Sequence, residues 1–211
     1  TPHRHPAGCE GNDSIGEFTM RLEETPIEDV KIIHMDGFAD TRGRFFESFD
    51  VKKFESLGLQ TDFVMDATSQ NTQAGTIRGL HFQAPPNAQA KLVRASRGRA
   101  LDIAVDVRRD SPTFGRHVAI TLSELDLFWL YIPCGFAHGF CTLEDNTEIL
   151  YKLTDHYAPE VSKGILWNDP ALAIDWPVTK EEARLSDKDL SFPHLCEAVT
   201  GFDVNKKGKS E

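Results

Sequence analysis

The sequence predicts an all-β chain that folds as an antiparallel sandwich or barrel with short flanking helices. Short apolar segments, some with the two-residue period of a strand, recur between turn-forming residues from Val30 to about Trp176. No G-x-G-x-x-G and no phosphate-binding loop motif occurs in the chain. Dinucleotide-binding and NTPase folds therefore have no support.

The predicted strands are short and closely spaced along the chain. They cover 30–35, 44–49, 62–66, 76–83, 91–96, 101–108, 117–122, 127–133, 137–143 and 147–155. The segment 40–43 (D-T-R-G) is a turn, and 84–90, with two prolines and an asparagine, is a loop, as is 109–115. Two further segments, 52–58 and 179–189, are predicted as helices.

The clearest alternation lies in 101–108, L-D-I-A-V-D-V-R. Its four large apolar residues face one way, and Asp102, Ala104, Asp106 and Arg108 face the other. The two aspartates could be either surface or interior residues. An interior carboxylate could orient a histidine by accepting a hydrogen bond from its ring N–H.

Length and composition bound the organisation of the chain. With 211 residues, 40% of them hydrophobic, it suits one compact domain. We assign this domain to 20–200. The segment 1–19 has few large apolar residues, and we expect a disordered leader or tag, with a polar tail over 201–211. No run of 18 apolar residues is present, so no membrane-spanning helix is expected.

Charge and cysteine content exclude several classes of protein. The net charge of −10 is opposite to that of a general nucleic-acid binder. A phosphorylated small molecule remains possible, but it would need a local cluster of Arg and Lys. The four cysteines form no C-x-x-C pair, and we interpret them as reduced thiols of a cytoplasmic protein. We expect Cys141 to be a small buried residue rather than a nucleophile.

One strand combines residues that are costly to bury. His81 and Gln83 share a face of the segment R-G-L-H-F-Q, and Lys91 opens the next strand. A lone histidine in a strand is more often structural than catalytic. If this face lines the interior of a barrel, however, the three polar groups point to a ligand site. Tyr151, near the end of the last long strand, is either a packing residue or a proton donor in a closed pocket.

Six motifs occur together in order: R-G-L-H-F-Q, K-L-V-R, D-x-A-V-D-x-R-x-x-S-P-T-F-G, I-P-x-G-F-A-H-G-F, W-N-D-P and L-S-x-K-D. As a set, over roughly residues 25–190, they resemble the dTDP-4-dehydrorhamnose 3,5-epimerase family of the cupin superfamily. This resemblance implies a β-jelly roll, a homodimer, and a substrate that is a nucleoside-diphosphate 4-keto-6-deoxy sugar. It also implies a reaction without a cofactor, in which a proton next to the C4 ketone is removed and one is returned on the other face.

The resemblance also implies roles for individual residues. His81 matches the general base, Tyr151 the proton donor and Asp189 the carboxylate paired with the base, while Lys91 and His138 match residues near the C4 oxygen. The matching nucleotide contacts are Arg42, Glu47, Arg78 and Lys188, and Tyr157 matches the ring that supports the base moiety. Gln83 is a further expected substrate contact.

The chain departs from the family pattern in the segment before R-G-L-H. Members commonly have a Gln and an Asn there, where this chain has Met65 and Ala67. The departure bears on the identity of the nucleotide and the sugar.

Three alternatives remain open from the sequence. A mono-epimerase acting at C3 or C5 alone would use the same residues. A metal-dependent cupin usually has His-x-His with a later Glu, whereas here His81 is followed by Phe82 and Gln83, so that no metal site is expected. A non-catalytic sugar-binding jelly roll would not need His81, Tyr151 and Asp189 together.

Overall fold

The computed structural model describes residues 18–202. The expected leader 1–19 and tail 201–211 therefore lie almost wholly outside the described residues, as does Cys9. The strands are β1 Met20–Glu24, β2 Lys31–Met35, β3 Gly37–Asp40, β4 Gly43–Phe46, β5 Met65–Asn71, β6 Ile77–Gln83, β7 Lys91–Arg97, β8 Arg99–Asp106, β9 His117–Ser123, β10 Phe128–Ile132, β11 Phe136–Thr142, β12 Thr147–Leu153 and β13 Ser162–Gly164. The helices are α1 Val51–Ser56 and α2 Asp187–Leu190.

The strands form two antiparallel sheets and a separate hairpin. A six-stranded sheet has the order β1-β2-β10-β7-β12-β5, and a five-stranded sheet has the order β13-β6-β11-β8-β9. The main core lies between them, where Val93, Leu130 and Ile149 of the first sheet share a cluster with Phe136 and Phe140 of the second. The hairpin β3–β4 follows the predicted turn 40–43. This arrangement confirms the predicted jelly-roll sandwich with short helices.

Strand β8 is buried on both faces, which answers the question that its alternation left open. Ala104 belongs to the core between the sheets. Ile103 and Val105 face the other way and pack against Ile165, Leu172 and Leu195 of the C-terminal segment. Asp102 and Asp106 are fully buried. Both aspartates are therefore interior residues, and each needs a polar partner.

The outer face of the six-stranded sheet is covered by the chain between β4 and β5. Phe54 of α1 is fully buried there with Ile33, Leu92 and Trp129. Helix α1 begins at the cap Asp50, whose side chain accepts a hydrogen bond from the Lys53 amide. The predicted helix over 52–58 is thus present, shifted by about one residue.

The predicted helix over 179–189 is wrong for most of its length. Only Asp187–Leu190 is helical. Arg184 is instead extended and pairs with the start of β6, with hydrogen bonds from its amide to Gly75 O and from the Ile77 amide to its carbonyl, both 2.9 Å. Backbone pairing with the sheet thus overrides the helical propensity of this charged segment.

Strands β6 and β11 approach each other unusually closely. A Cβ on Gly79 would lie 2.6 Å from Gly139 Cα, and one on Gly139 would lie 2.7 Å from the carbonyl oxygen of Arg78. Gly79 also has a φ of 123°, which side-chain-bearing residues rarely adopt. The pairing is irregular here, and it places His138 directly opposite His81. The two glycines therefore set the position of both histidines.

Between residues 18 and 202, no helix has the length and apolar character needed to cross a membrane.

The three described cysteines, Cys134, Cys141 and Cys196, are all free thiols. Cys141 is fully buried, and burial raises its pKa to about 11, so it remains a neutral thiol at neutral pH. It has the buried role that we expected.

Candidate active site

A cavity of about 790 Å³ is lined by side chains from both sheets and from the segment that leads into α2. Its lining includes eight of the eleven residues singled out from the sequence. They are His81, Tyr151, Asp189, Lys91, Arg78, His138, Tyr157 and Lys188. The tertiary structure therefore brings most of the predicted site together, from positions up to 111 residues apart in the chain.

His81 and Asp189 form a hydrogen-bonded pair. His81 Nε2 lies 2.6 Å from Asp189 Oδ1, and the His81 ring also packs edge-on against Phe192 at 5.5 Å between centroids. Burial of Asp189 opposes its ionisation, but the hydrogen bond and charge of His81 outweigh it and lower the pKa of the carboxyl group. An ionised Asp189 orients the imidazole by accepting a hydrogen bond from its Nε2–H.

The start of α2 holds this carboxylate in place. The helix begins at the cap Ser186, whose hydroxyl oxygen accepts a hydrogen bond from the Asp189 amide at 3.1 Å. The side chain of Asp189 is only 7% exposed and faces His81, whose side chain is 39% exposed. Asp189 thus holds the imidazole on its buried side, while the rest of the ring remains exposed to the cavity.

Lys91 is buried beside the histidine. Its Nζ donates a hydrogen bond to the backbone carbonyl of His81 at 3.4 Å. Burial lowers the pKa of Lys91 to about 8, although the nearby charge of Asp102 opposes the shift. At neutral pH the ammonium group is therefore still mostly protonated, and it can stabilise a negative charge that develops on an oxygen in the cavity.

His138 has a carboxylate partner that the sequence left undecided. Its Nε2 lies 2.8 Å from Asp102 Oδ2, and both side chains are almost completely buried. Burial raises the pKa of Asp102 and lowers that of His138, so both shifts disfavour an ion pair. Asp102 Oδ1 has no hydrogen-bond partner among the described residues. Asp102 therefore fixes the orientation of the His138 ring from the core.

Tyr151 enters the cavity from the opposite sheet. It lies on β12, and its ring packs edge-on against the His138 ring, with 5.9 Å between centroids. Burial raises the pKa of its phenol strongly, so that the hydroxyl group keeps its proton. His81 comes from the five-stranded sheet and Tyr151 from the six-stranded sheet. An imidazole and a phenol thus reach the same cavity from different sheets.

The outer part of the cavity is cationic, although the chain carries a net charge of −10. Arg78, Arg184 and Lys188 line it together with the exposed ring of Tyr157. Arg78 is held by a hydrogen bond from its Nε to Asn71 Oδ1 at 2.7 Å. This is the local basic cluster that a phosphorylated ligand requires. Arg184 was not predicted, because its segment appeared helical and no motif marked it.

Arg42 and Glu47 lie outside this cavity within a single chain. Arg42 is at the tip of the hairpin β3–β4, where its Nε donates to Asp40 Oδ2 at 2.9 Å. Glu47 follows the hairpin and forms an ion pair with Lys53. Neither residue lines the site that holds His81. Their role as nucleotide contacts therefore remains a prediction.

Gln83 is also absent from the cavity lining within a single chain. Its Nε2 donates to Asn87 O and His156 O at 2.7 and 3.1 Å, and its Oε1 accepts from the Ala158 amide at 2.8 Å. At the end of β6, the flanking loops cover the side chain and satisfy its amide. Gln83 thus ties the loops together, and its role as a substrate contact remains a prediction.

The residues that depart from the family pattern do line the cavity. Met65 and Ala67 lie on the inner face of β5, and Ala67 is opposite Tyr151. Their wall of the cavity is therefore more apolar than the pattern suggests. Among residues 18–202, no group of three His, Cys, Asp or Glu side chains could hold a metal ion.

Comparison with known proteins agrees with this geometry. The family model described as dTDP-4-dehydrorhamnose 3,5-epimerase matches residues 24–197. A Sinorhizobium fredii protein of that name is 45% identical over 187 residues, which cover 89% of this chain and 95% of the relative.

Solved structures show the same likeness. A Legionella pneumophila dTDP-6-deoxy-D-glucose-3,5-epimerase in complex with dTDP-4-keto-L-rhamnose is 42% identical, with a TM-score of 0.80 over 84% of this chain and 94% of that one. A Bacillus anthracis dTDP-4-dehydrorhamnose 3,5-epimerase with TDP and PPi bound is 45% identical, with a TM-score of 0.81 over 83% and 99%. By its sequence, its fold and the residues gathered in its cavity, the chain belongs to the dTDP-4-dehydrorhamnose 3,5-epimerase family.

Proposed function

We propose that this enzyme inverts C3 and C5 of dTDP-4-dehydro-6-deoxy-D-glucose to give dTDP-4-dehydro-L-rhamnose. The observation that carries the proposal is the placement of His81 and Tyr151 on opposite sheets around one cavity. Inversion at carbon requires a proton to leave one face and another to arrive at the opposite face. Family membership supplies the substrate class.

In each inversion, His81 removes the proton from the carbon next to the C4 ketone, and the electron pair of the C–H bond moves towards the C4 oxygen. Lys91 stabilises the resulting enolate oxygen, with His138 beside it. Tyr151 then donates its proton to the other face of the carbon. His81 releases a proton to solvent and Tyr151 regains one, so no electrons are gained or lost overall.

The remaining cavity residues bind the nucleotide part of the substrate. A diphosphate carries about two negative charges, and Arg78 and Lys188 offer cationic groups at the outer part of the cavity. Tyr157 is 60% exposed at the same cavity and presents a ring for the base moiety. We place the enzyme in the cytoplasm, where its free thiols stay reduced.

We also propose a homodimer. The hairpin β3–β4 exposes Phe38 and Phe45 together with Arg42, and a second copy of the chain is a partner that could cover these rings. Such contact would also give Arg42 and Glu47 access to a nucleotide. Sedimentation equilibrium should give twice the chain mass of 23.6 kDa. A mass of 23.6 kDa at micromolar concentration would contradict the dimer.

The function is tested by proton NMR in deuterium oxide with the 4-keto sugar nucleotide. The natural enzyme should place deuterium at both C3 and C5 and produce the L-sugar. His81→Asn should lower both exchange rates by roughly 10²–10⁴-fold, because it removes the base.

His194→Asn is the matched control for this variant. His194 also pairs with a carboxylate, Asp169, but outside the cavity, so exchange should continue. Exchange at one carbon alone in the natural enzyme would indicate a mono-epimerase. Undiminished exchange in His81→Asn would exclude His81 as the base.

Tyr151→Phe should separate exchange from inversion. It keeps the ring that packs against His138 but removes the hydroxyl proton. Deuterium exchange on the His81 side should continue while the appearance of the L-sugar slows by about 10² or more. Tyr131→Phe, on the outer face of the six-stranded sheet, is the control. An unchanged rate of inversion in Tyr151→Phe would rule out Tyr151 as the proton donor.

The pKa of Lys91 predicts a loss of activity in mild alkali. Because the protonated amine stabilises the enolate, kcat/KM should fall as pH rises through about 8. Lys91→Met should lower kcat by about 10² or more and remove this limb of the pH profile. Lys152→Met, an outward-facing change on β12, should leave the profile intact. A limb near pH 8 that survives in Lys91→Met would assign the titration to another group.

A further inference from the structure

We infer that Arg184 is a third cation of the diphosphate-binding site, beside Arg78 and Lys188. The inference rests on the proposed function, because it concerns how the same cavity holds a nucleoside diphosphate. It adds a residue that neither the sequence motifs nor the matching of family positions had indicated.

The backbone fixes Arg184 relative to the rest of the site. Its amide and carbonyl pair with Gly75 and Ile77 at the start of β6, and Arg78 and His81 follow on the same strand. Ser186, two residues on, caps the helix that carries Lys188 and Asp189. Arg184 therefore lies between the two elements that supply the other cations. It lines the same cavity and also a neighbouring cleft that includes Glu181 and Glu182.

The side-chain hydrogen bonds of Arg184 use only one of its three guanidinium nitrogens. Its Nη1 donates to Ala74 O at 2.9 Å and to Glu182 O at 3.4 Å. Among residues 18–202, no hydrogen bond involves its Nε or Nη2, and no carboxylate forms an ion pair with it. The neighbouring Glu182 carboxylate is turned away, since it accepts from the amide and hydroxyl groups of Thr179 at 2.9 and 3.0 Å. A charged, planar group with free donors suits a phosphate oxygen.

The charge balance of the cavity favours an anionic ligand. Of the described carboxylate side chains, only Asp189 lines it, and that group is hydrogen-bonded to His81. Four cations line the same surface: Lys91, Arg78, Arg184 and Lys188. Lys91 is buried beside the catalytic histidine, which leaves the other three for the diphosphate.

Calorimetric titration with dTDP tests the inference. Arg184→Met should bind dTDP about tenfold more weakly than the natural enzyme, as expected for the loss of one charge-assisted contact. The affinity for dTDP should also depend less steeply on salt concentration. Arg184→Lys should recover part of the affinity. Arg116→Met removes an exposed charge outside the cavity and should bind dTDP normally.

Steady-state kinetics separate binding from a merely structural role. If Arg184 binds the diphosphate, the loss should appear mainly as an increase in KM. If it only anchors the segment that carries Asp189, kcat should fall instead and Arg184→Lys should not rescue dTDP binding, which would overturn the inference. A dTDP affinity in Arg184→Met within twofold of the natural value would also overturn it.

The proposed function can fail independently. A natural enzyme that binds dTDP but exchanges no proton of the 4-keto sugar would refute the epimerase reaction. The comparison of dTDP affinities would still decide the role of Arg184.

Discussion

The close approach of β6 and β11 is the constraint on which the site depends. Gly79 and Gly139 lie back to back, with no room for a Cβ on either. This contact sets the irregular strand pairing in which His81 and His138 are opposite each other on neighbouring strands. Asp189 then approaches the first histidine from α2, and Asp102 approaches the second from β8. The reactive groups are therefore positioned by backbone packing rather than by flexible side chains.

Burial then adjusts the chemistry of each group. It lowers the pKa of Lys91 to about 8, so the amine is still mostly charged at neutral pH. It also raises the pKa of the Tyr151 phenol, which therefore keeps its proton. The partly exposed His81 remains free to meet a substrate. The same sandwich thus holds an imidazole, an ammonium group and a phenol in different environments around one cavity.

Several features were accessible from the sequence because they depend on local pattern. The period of two predicted most strands. The polar residues His81, Gln83 and Lys91 on two successive strands pointed to a ligand site. Predictions failed where a distant contact decided the outcome. The segment 179–189 has a helical composition, yet Arg184 pairs with β6. The surroundings of Gln83 also depend on distant contacts, because loops from two sides cover its side chain.

Spacing along the chain was enough to predict the all-β class and the family, and to single out most of the residues that line the cavity. The partner of His138 was settled only by the three-dimensional fold, which brings Asp102 to it from 36 positions away. The fold also places Asp189 against His81, 108 positions away, as the resemblance implied. It also revealed that Arg184 lines the cavity and that Arg42 and Glu47 do not. Hydrogen bonds and charge act over a few ångströms, whereas position in the chain does not specify distance in space.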